Sequence, residues 1–234
     1  MAEAISDRQV VKVLRPFVRA ANPVLAAMRS PGKLEGLAGL RVPGTPAWDA
    51  MNVEARTDWW INRVGRLTAL ATSVPGLGGA LADRLPVRDA LGASAQGLLL
   101  CAIAGEHGVD DVGERVRLIA WVLFQREIDP VLAAVKDPDA AEDARTEQLT
   151  GEFTRQDKQG RRISLRAFAG TLWRMGRSLL AITGELEKRP RGRFYQRALG
   201  MVPVVGMAGA YWAERSALQR VARRSGRWLS AART

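Results

Sequence analysis

The 234-residue chain holds one cysteine and one histidine, which excludes an internal disulfide and a zinc site built from Cys and His ligands. Hydrophobic residues make up 47% and aromatics 6%, and the abundance of Ala, Leu and Arg over Val and Ile favours helix over strand in one large domain. The net charge is +11, yet residues 1–154 carry 17 Lys+Arg against 20 Asp+Glu, while residues 155–234 carry 18 against 4. That asymmetry points to an anionic partner for the last third: membrane headgroups, nucleic acid or an acidic protein. An Arg-biased composition, 30 Arg to 5 Lys, also produces basic faces that are only solvated.

The opening residues 1–7 lack a basic segment followed by an apolar run, so no secretory signal peptide is expected. Val10, Val13, Leu14, Phe17 and Val18 fall at helical spacing and predict an amphipathic helix over residues 6–29. Pro16 is placed to kink it and Asn22-Pro23 to divide it. Seven Gly and Pro residues between 30 and 47 mark a loop, so residues 1–47 read as a helix and its connector. Residues 48–234 read as the main helical domain. A long helix is expected from about Trp48, through Trp59-Trp60, to Ser73.

Three charge-free windows of 16 residues follow: Leu67 to Ala82, Ala90 to Gly105 and Ala198 to Ala213. As straight helices they reach about 24 Å, short of a hydrocarbon core of about 30 Å. A buried hairpin or a shallow, re-entrant insertion is therefore favoured over a full membrane span, and soluble core over insertion. Two of the windows contain the same turn, Val74-Pro75-Gly76-Leu77-Gly78 and Val202-Pro203-Val204-Val205-Gly206. Pro ends one helix and can begin the next, and Gly permits close backbone approach. Pro75, Gly78, Gly79, Pro203 and Gly206 are thus expected at two tight corners between antiparallel helices.

Val116, Ile119, Ala120, Leu123 and Phe124 predict a helix over Val112 to Ile128. Residues 137–152 are acidic and poor in apolar side chains, as a solvated connector or a short exposed helix would be. Leu165, Phe168, Leu172, Met175, Leu179 and Ile182 line one side of a helix from Ile163 to Glu187, with Arg161, Arg162, Arg166, Arg174 and Arg177 on its polar surface. In the last helix Leu218, Val221 and Trp228 oppose Arg215, Arg220, Arg223, Arg224 and Arg227. Basic amphipathic helices of this kind lie on anionic membranes, with Arg and Trp at the headgroups; ordinary core-facing helices have the same pattern.

Catalytic signatures are few. The sequence has no Gly-x-Ser-x-Gly elbow, no Walker-type phosphate loop and no dinucleotide fingerprint. Asp110, Asp111 and Glu114 cluster after His107, where they could serve acid–base chemistry, bind a cation or cap a helix; their place after Gly105 and Gly108 favours the cap. Cys101, in an Ala/Leu-rich run, reads as a buried small residue rather than a nucleophile.

Three stretches carry a resemblance. They are Thr72-Ser73-Val74-Pro75-Gly76-Leu77-Gly78-Gly79, then Ala102-Ile103-Ala104-Gly105-Glu106-His107-Gly108-Val109-Asp110, then Met201-Val202-Pro203-Val204-Val205-Gly206-Met207-Ala208-Gly209-Ala210. In order and spacing the chain resembles the EcsC protein family over about residues 50–230. The resemblance implies a largely helical bacterial protein. That family is named from a gene beside an ABC transporter and has no assigned molecular role, so no catalytic residue carries over. His107 departs from the Tyr-Gly pair usual in the family, and Trp212 stands where a small or polar residue is common.

The expected protein is all-α, a single-domain helical bundle with two apolar Val-Pro-x-x-Gly corners. Its expected role is that of a non-enzymatic accessory protein at a membrane surface or membrane complex, cytoplasmic or peripheral at the inner face of the cell membrane. Arg174, Arg177, Arg215, Arg220, Arg223, Arg224 and Arg227 are the candidate anion-binding residues. No cofactor or metal is expected. Two alternatives stand: a soluble all-α enzyme using Asp110, Asp111, Glu114 or His107, and a soluble module binding an acidic protein or nucleic acid. Nucleic acid is the weaker candidate, since the basic third lacks interleaved aromatics and a groove-reading motif.

Overall fold

A computed structural model describes residues 6–30, 43, 45–72, 87–135, 139–187 and 206–231. Within them the chain is an all-α bundle of ten helices: α1 Asp7–Arg29, α2 Pro46–Asp49, α3 Val53–Thr72, α4 Val87–Glu106, α5 Val112–Phe124, α6 Pro130–Ala134, α7 Asp139–Thr150, α8 Glu152–Lys158, α9 Leu165–Glu187 and α10 Gly206–Ala231.

The N-terminal helix starts with a capping box. The Ser6 hydroxyl accepts from the Gln9 amide, and the Gln9 side chain accepts from the Ser6 amide at 2.8 Å. Contrary to the expected division at Asn22-Pro23, α1 runs through both Pro16 and Pro23. Each proline removes one backbone donor. Leu14, Phe17 and Val18 around the first, and Ala20, Ala21, Val24 and Leu25 around the second, are all buried and hold the chain in helix. α1 packs against α4, α5, α7 and α9.

The long helix expected from Trp48 is interrupted. Thr45 caps α2, with Pro46 at its first position, and the chain re-enters helix only at Val53. The reason is local: the Asn52 side-chain oxygen accepts from the Ala55 amide at 2.8 Å and starts α3 afresh. The helix expected to reach Ile128 stops at Phe124. Gln125 adopts the left-handed conformation, φ 53°, and the Arg126 amide donates back to the Ala120 carbonyl at 3.1 Å, which closes the helix end.

At the centre lies α4, which contains the charge-free window Ala90 to Gly105. A helix apolar on every side is stable only when surrounded. Here α9, α3, α10, α5 and α1 surround it, and Leu91, Leu98, Leu99, Leu100 and Ile103 are buried. Two glycines set its spacing. A Cβ on Gly97 would stand 2.7 Å from Cε1 of Phe17, and a Cβ on Gly176 of α9 would overlap the Ala90 backbone. Among the described residues, no helix is long and apolar enough to cross a membrane.

The acidic segment is a helix, and it is docked. Glu142 of α7 is 3% exposed and accepts from Nε of the equally buried Arg15 at 3.0 Å and from Nη1 of Arg19 at 3.2 Å. Arg19 also pairs with Asp143. Burial disfavours the Arg19 cation, but its bonds to Asp143 and Glu142 win, so it is held above its ordinary range. Arg15 further donates to the Ala133 carbonyl at 2.7 Å, fastening α6 as well.

Candidate functional site

The last helix sorts its side chains cleanly. Ala217, Leu218, Val221, Ser225 and Leu229 are buried, and α10 packs this face on α4, α3 and α5. Arg220, Arg223, Arg224 and Arg227 all lie on the opposite, exposed face. From Arg220 to Arg227 the rise is about 10 Å at 1.5 Å per residue. Among the described residues their guanidiniums make no ion pair or hydrogen bond. They are neighbours at three or four residues, 220/223, 220/224, 223/227 and 224/227, and each like-charge pair destabilises the helix by about 0.2–0.5 kcal/mol. Among the described residues no acidic side chain relieves the stripe.

The remaining sequence-predicted residues are distributed differently. Arg215 is half-buried on α10, and Arg177 is exposed on α9. Arg174 is occupied: its Nε donates to the Leu149 carbonyl at 3.0 Å, and Nη2 donates to the Thr150 carbonyl at 3.2 Å and to Oγ1 of Thr171 at 3.1 Å. It satisfies the carbonyls left over at the end of α7. Burial lowers its guanidinium from the ordinary range, with Glu152 opposing. Trp173 is buried, and Trp228 is half-buried with Arg117 over its ring at 5.8 Å. Gly206 is the first residue of α10; Pro75, Gly78, Gly79 and Pro203 lie outside the described residues. Large apolar side chains exposed among the described residues are Leu70, Val131 and Val135, none of them on α10.

The acidic group after His107 is engaged in structure. Asp111 caps α5 by accepting from the Glu114 amide at 2.9 Å. Glu114 pairs with Arg117 at 2.9 Å, and Asp110 pairs with Arg115 at 2.7 Å. His107 is half-buried just beyond α4. Among the described residues no group of three or more His, Cys, Asp or Glu could hold a metal ion. Cys101 is buried in α4, and burial pushes its thiol up to about 12, with Arg115 nearby opposing.

One cluster escaped the sequence reading. Glu106, whose side chain is 7% exposed, accepts from Nε1 of Trp60 at 3.0 Å and pairs loosely with Arg29 and Arg56 at 3.5 Å each. Arg29 lies over the Trp60 ring, Arg56 over Trp48 and Arg63 over Trp59, at 5.2, 5.6 and 5.5 Å. Arg63 donates twice to the Met28 carbonyl, closing the end of α1 onto α3. Its sequence signal was the spacing of four between Arg56 and Trp60 and between Trp59 and Arg63.

Comparison with protein-family models, with curated proteins and with solved structures gives no match.

Proposed function

We propose that this chain is a non-enzymatic, EcsC-like accessory protein that rests on the anionic inner face of a membrane through α10. The observation that carries the reading is the exposed stripe of Arg220, Arg223, Arg224 and Arg227, which has no acidic partner among the described residues. Each Arg engaged near an anionic surface contributes on the order of 1 kcal/mol, so four supply about 4 kcal/mol before ordering costs. That is a weak and reversible attachment. Over residues 215–231 of α10, where side-chain exposure is described, no large apolar side chain is exposed, so electrostatics carries the attachment there.

The test is co-sedimentation with vesicles of phosphatidylcholine alone and with added phosphatidylserine. Binding should require the anionic lipid and fall from 0.1 to 1 M salt, as the Debye length shrinks from about 10 to 3 Å. Changing the four arginines together to Gln should abolish it without lowering the melting temperature, since the positions are exposed and mutually repulsive. Equal binding to both vesicle types, or no loss in the variant, rejects the mechanism. Tight binding to nucleic acid with none to vesicles replaces it by the soluble-module reading.

A further inference from the structure

The exposed face of α10 has a gap among its arginines. Arg223, Gly226, Arg227 and Ser230 stand at i, i+3, i+4 and i+7, on one side of the helix, and all four are exposed. Among the described residues, a Cβ on Gly226 would meet nothing within 4 Å. The Ser230 hydroxyl turns back onto its own helix and donates to the Arg227 carbonyl at 2.9 Å. Bare backbone at Gly226 is therefore open beside two arginines whose Cβ atoms lie about 5–6 Å apart.

Glycine weakens a helix interior relative to Ala, and among the described residues no packed neighbour requires it at 226. What it supplies is access: a group can reach the helix surface between Arg223 and Arg227. Arg220 and Arg224 stand within one turn of Arg223, and residues 215–231 contain no Asp or Glu. The gap is thus ringed by cations that repel one another.

The group that fits best is compact, carries more than one negative charge and offers several acceptor oxygens. A phosphomonoester has a charge of about −1.5 to −2 and three strong acceptors, which guanidinium forks match. The phosphodiester of phosphatidylserine has one charge and two free oxygens between bulky ester arms. Its headgroup also carries an ammonium that the arginines repel.

We propose that α10 selects lipids whose headgroup is a phosphomonoester, phosphatidic acid being the simplest, with the phosphate over Gly226 between Arg223 and Arg227. This rests on the membrane reading above and adds to it a choice of headgroup. Co-sedimentation of the full chain with phosphatidylcholine vesicles carrying either phosphatidic acid or phosphatidylserine, at matched zeta potential, tests it. Phosphatidic acid should bind about tenfold more tightly, the worth of one further charge-assisted hydrogen bond. Gly226→Leu fills the gap and keeps every arginine. It should lose that preference while still binding phosphatidylserine and melting no lower than the parent, since Leu favours helix over Gly. Arg223→Gln with Arg227→Gln should also lose the preference. Arg220→Gln with Arg224→Gln removes the same charge and should keep the preference at lower overall affinity. Equal binding to the two lipids, or an undiminished preference in Gly226→Leu, overturns the headgroup choice and leaves the membrane reading standing. Binding to neither anionic vesicle overturns both. Glycerol 3-phosphate should displace the protein from phosphatidic acid vesicles only weakly; displacement by an amount equal to the lipid would make the ligand a free phosphate ester and overturn the lipid assignment.

Discussion

Gly176 of α9 meets Ala90 of α4 backbone to backbone, with the position of a Gly176 Cβ falling on the Ala90 carbonyl and 3.0 Å from its Cα. The obstruction is main chain, which cannot rotate aside. Gly176→Ala should therefore force apart the two helices that pack most extensively in the bundle. Overpacking costs about 1–3 kcal/mol, more than the helix-propensity gain of about 1 kcal/mol from Gly to Ala. A lowered melting temperature is the expected result, and an unchanged one would refute the close contact.

Gly226 is the counter-example. It lies inside α10, is exposed, and a Cβ there would meet nothing within 4 Å. Gly226→Ala should raise stability by about 0.5–1 kcal/mol, because the unfolded chain loses freedom and the folded one loses no space. Denaturant midpoints of the two glycine variants should move in opposite directions.

Glu142 should be costly to remove alone. Glu142→Ala leaves the Arg15 guanidinium buried without its carboxylate, and breaking a buried pair in this way destabilises by about 3–5 kcal/mol. The paired replacement Arg15→Met with Glu142→Leu should recover much of that loss, since apolar residues of similar volume commonly replace a buried ion pair without penalty. Urea unfolding of the single and double variants measures both effects.

Cys101 should make the fold sensitive to alkali. Its thiol titrates at about 12 in the folded protein, against an ordinary value of 9.0. The native state therefore holds this proton more tightly than the unfolded state does. The contribution is fully present below about pH 9 and is lost as the pH rises toward and through about 12. Cys101→Ala should flatten that part of the stability profile. In the native protein near neutral pH, a thiol reagent should modify Cys101 only after unfolding; rapid labelling without unfolding would contradict the burial.

Local periodicity made much of the architecture legible. Phe168, Leu172, Met175, Leu179 and Ile182 repeat at helical spacing, and all five are buried on α9. Asp111 stood where a cap is required and forms one. The two breaks that were missed, at Asn52 and Gln125, are single-residue events: a side-chain cap and a left-handed end, neither of which disturbs the apolar repeat around it.

The sequence by itself determined the helical class, the buried faces of α9 and α10 and the arginine spacing that makes one exposed stripe. These depend on the 3.6-residue repeat, which is written in neighbouring residues. The tertiary structure alone decided which charges are used up inside the fold. Arg174 and the stripe arginines look alike along the chain, but only Arg174 meets the loose carbonyls of α7. Arg15 and Glu142 are 127 residues apart, and no local pattern announces their pairing. That buried pair fastens α7, and Arg15's bond to Ala133 fastens α6, onto α1 across a sequence separation that local periodicity does not encode.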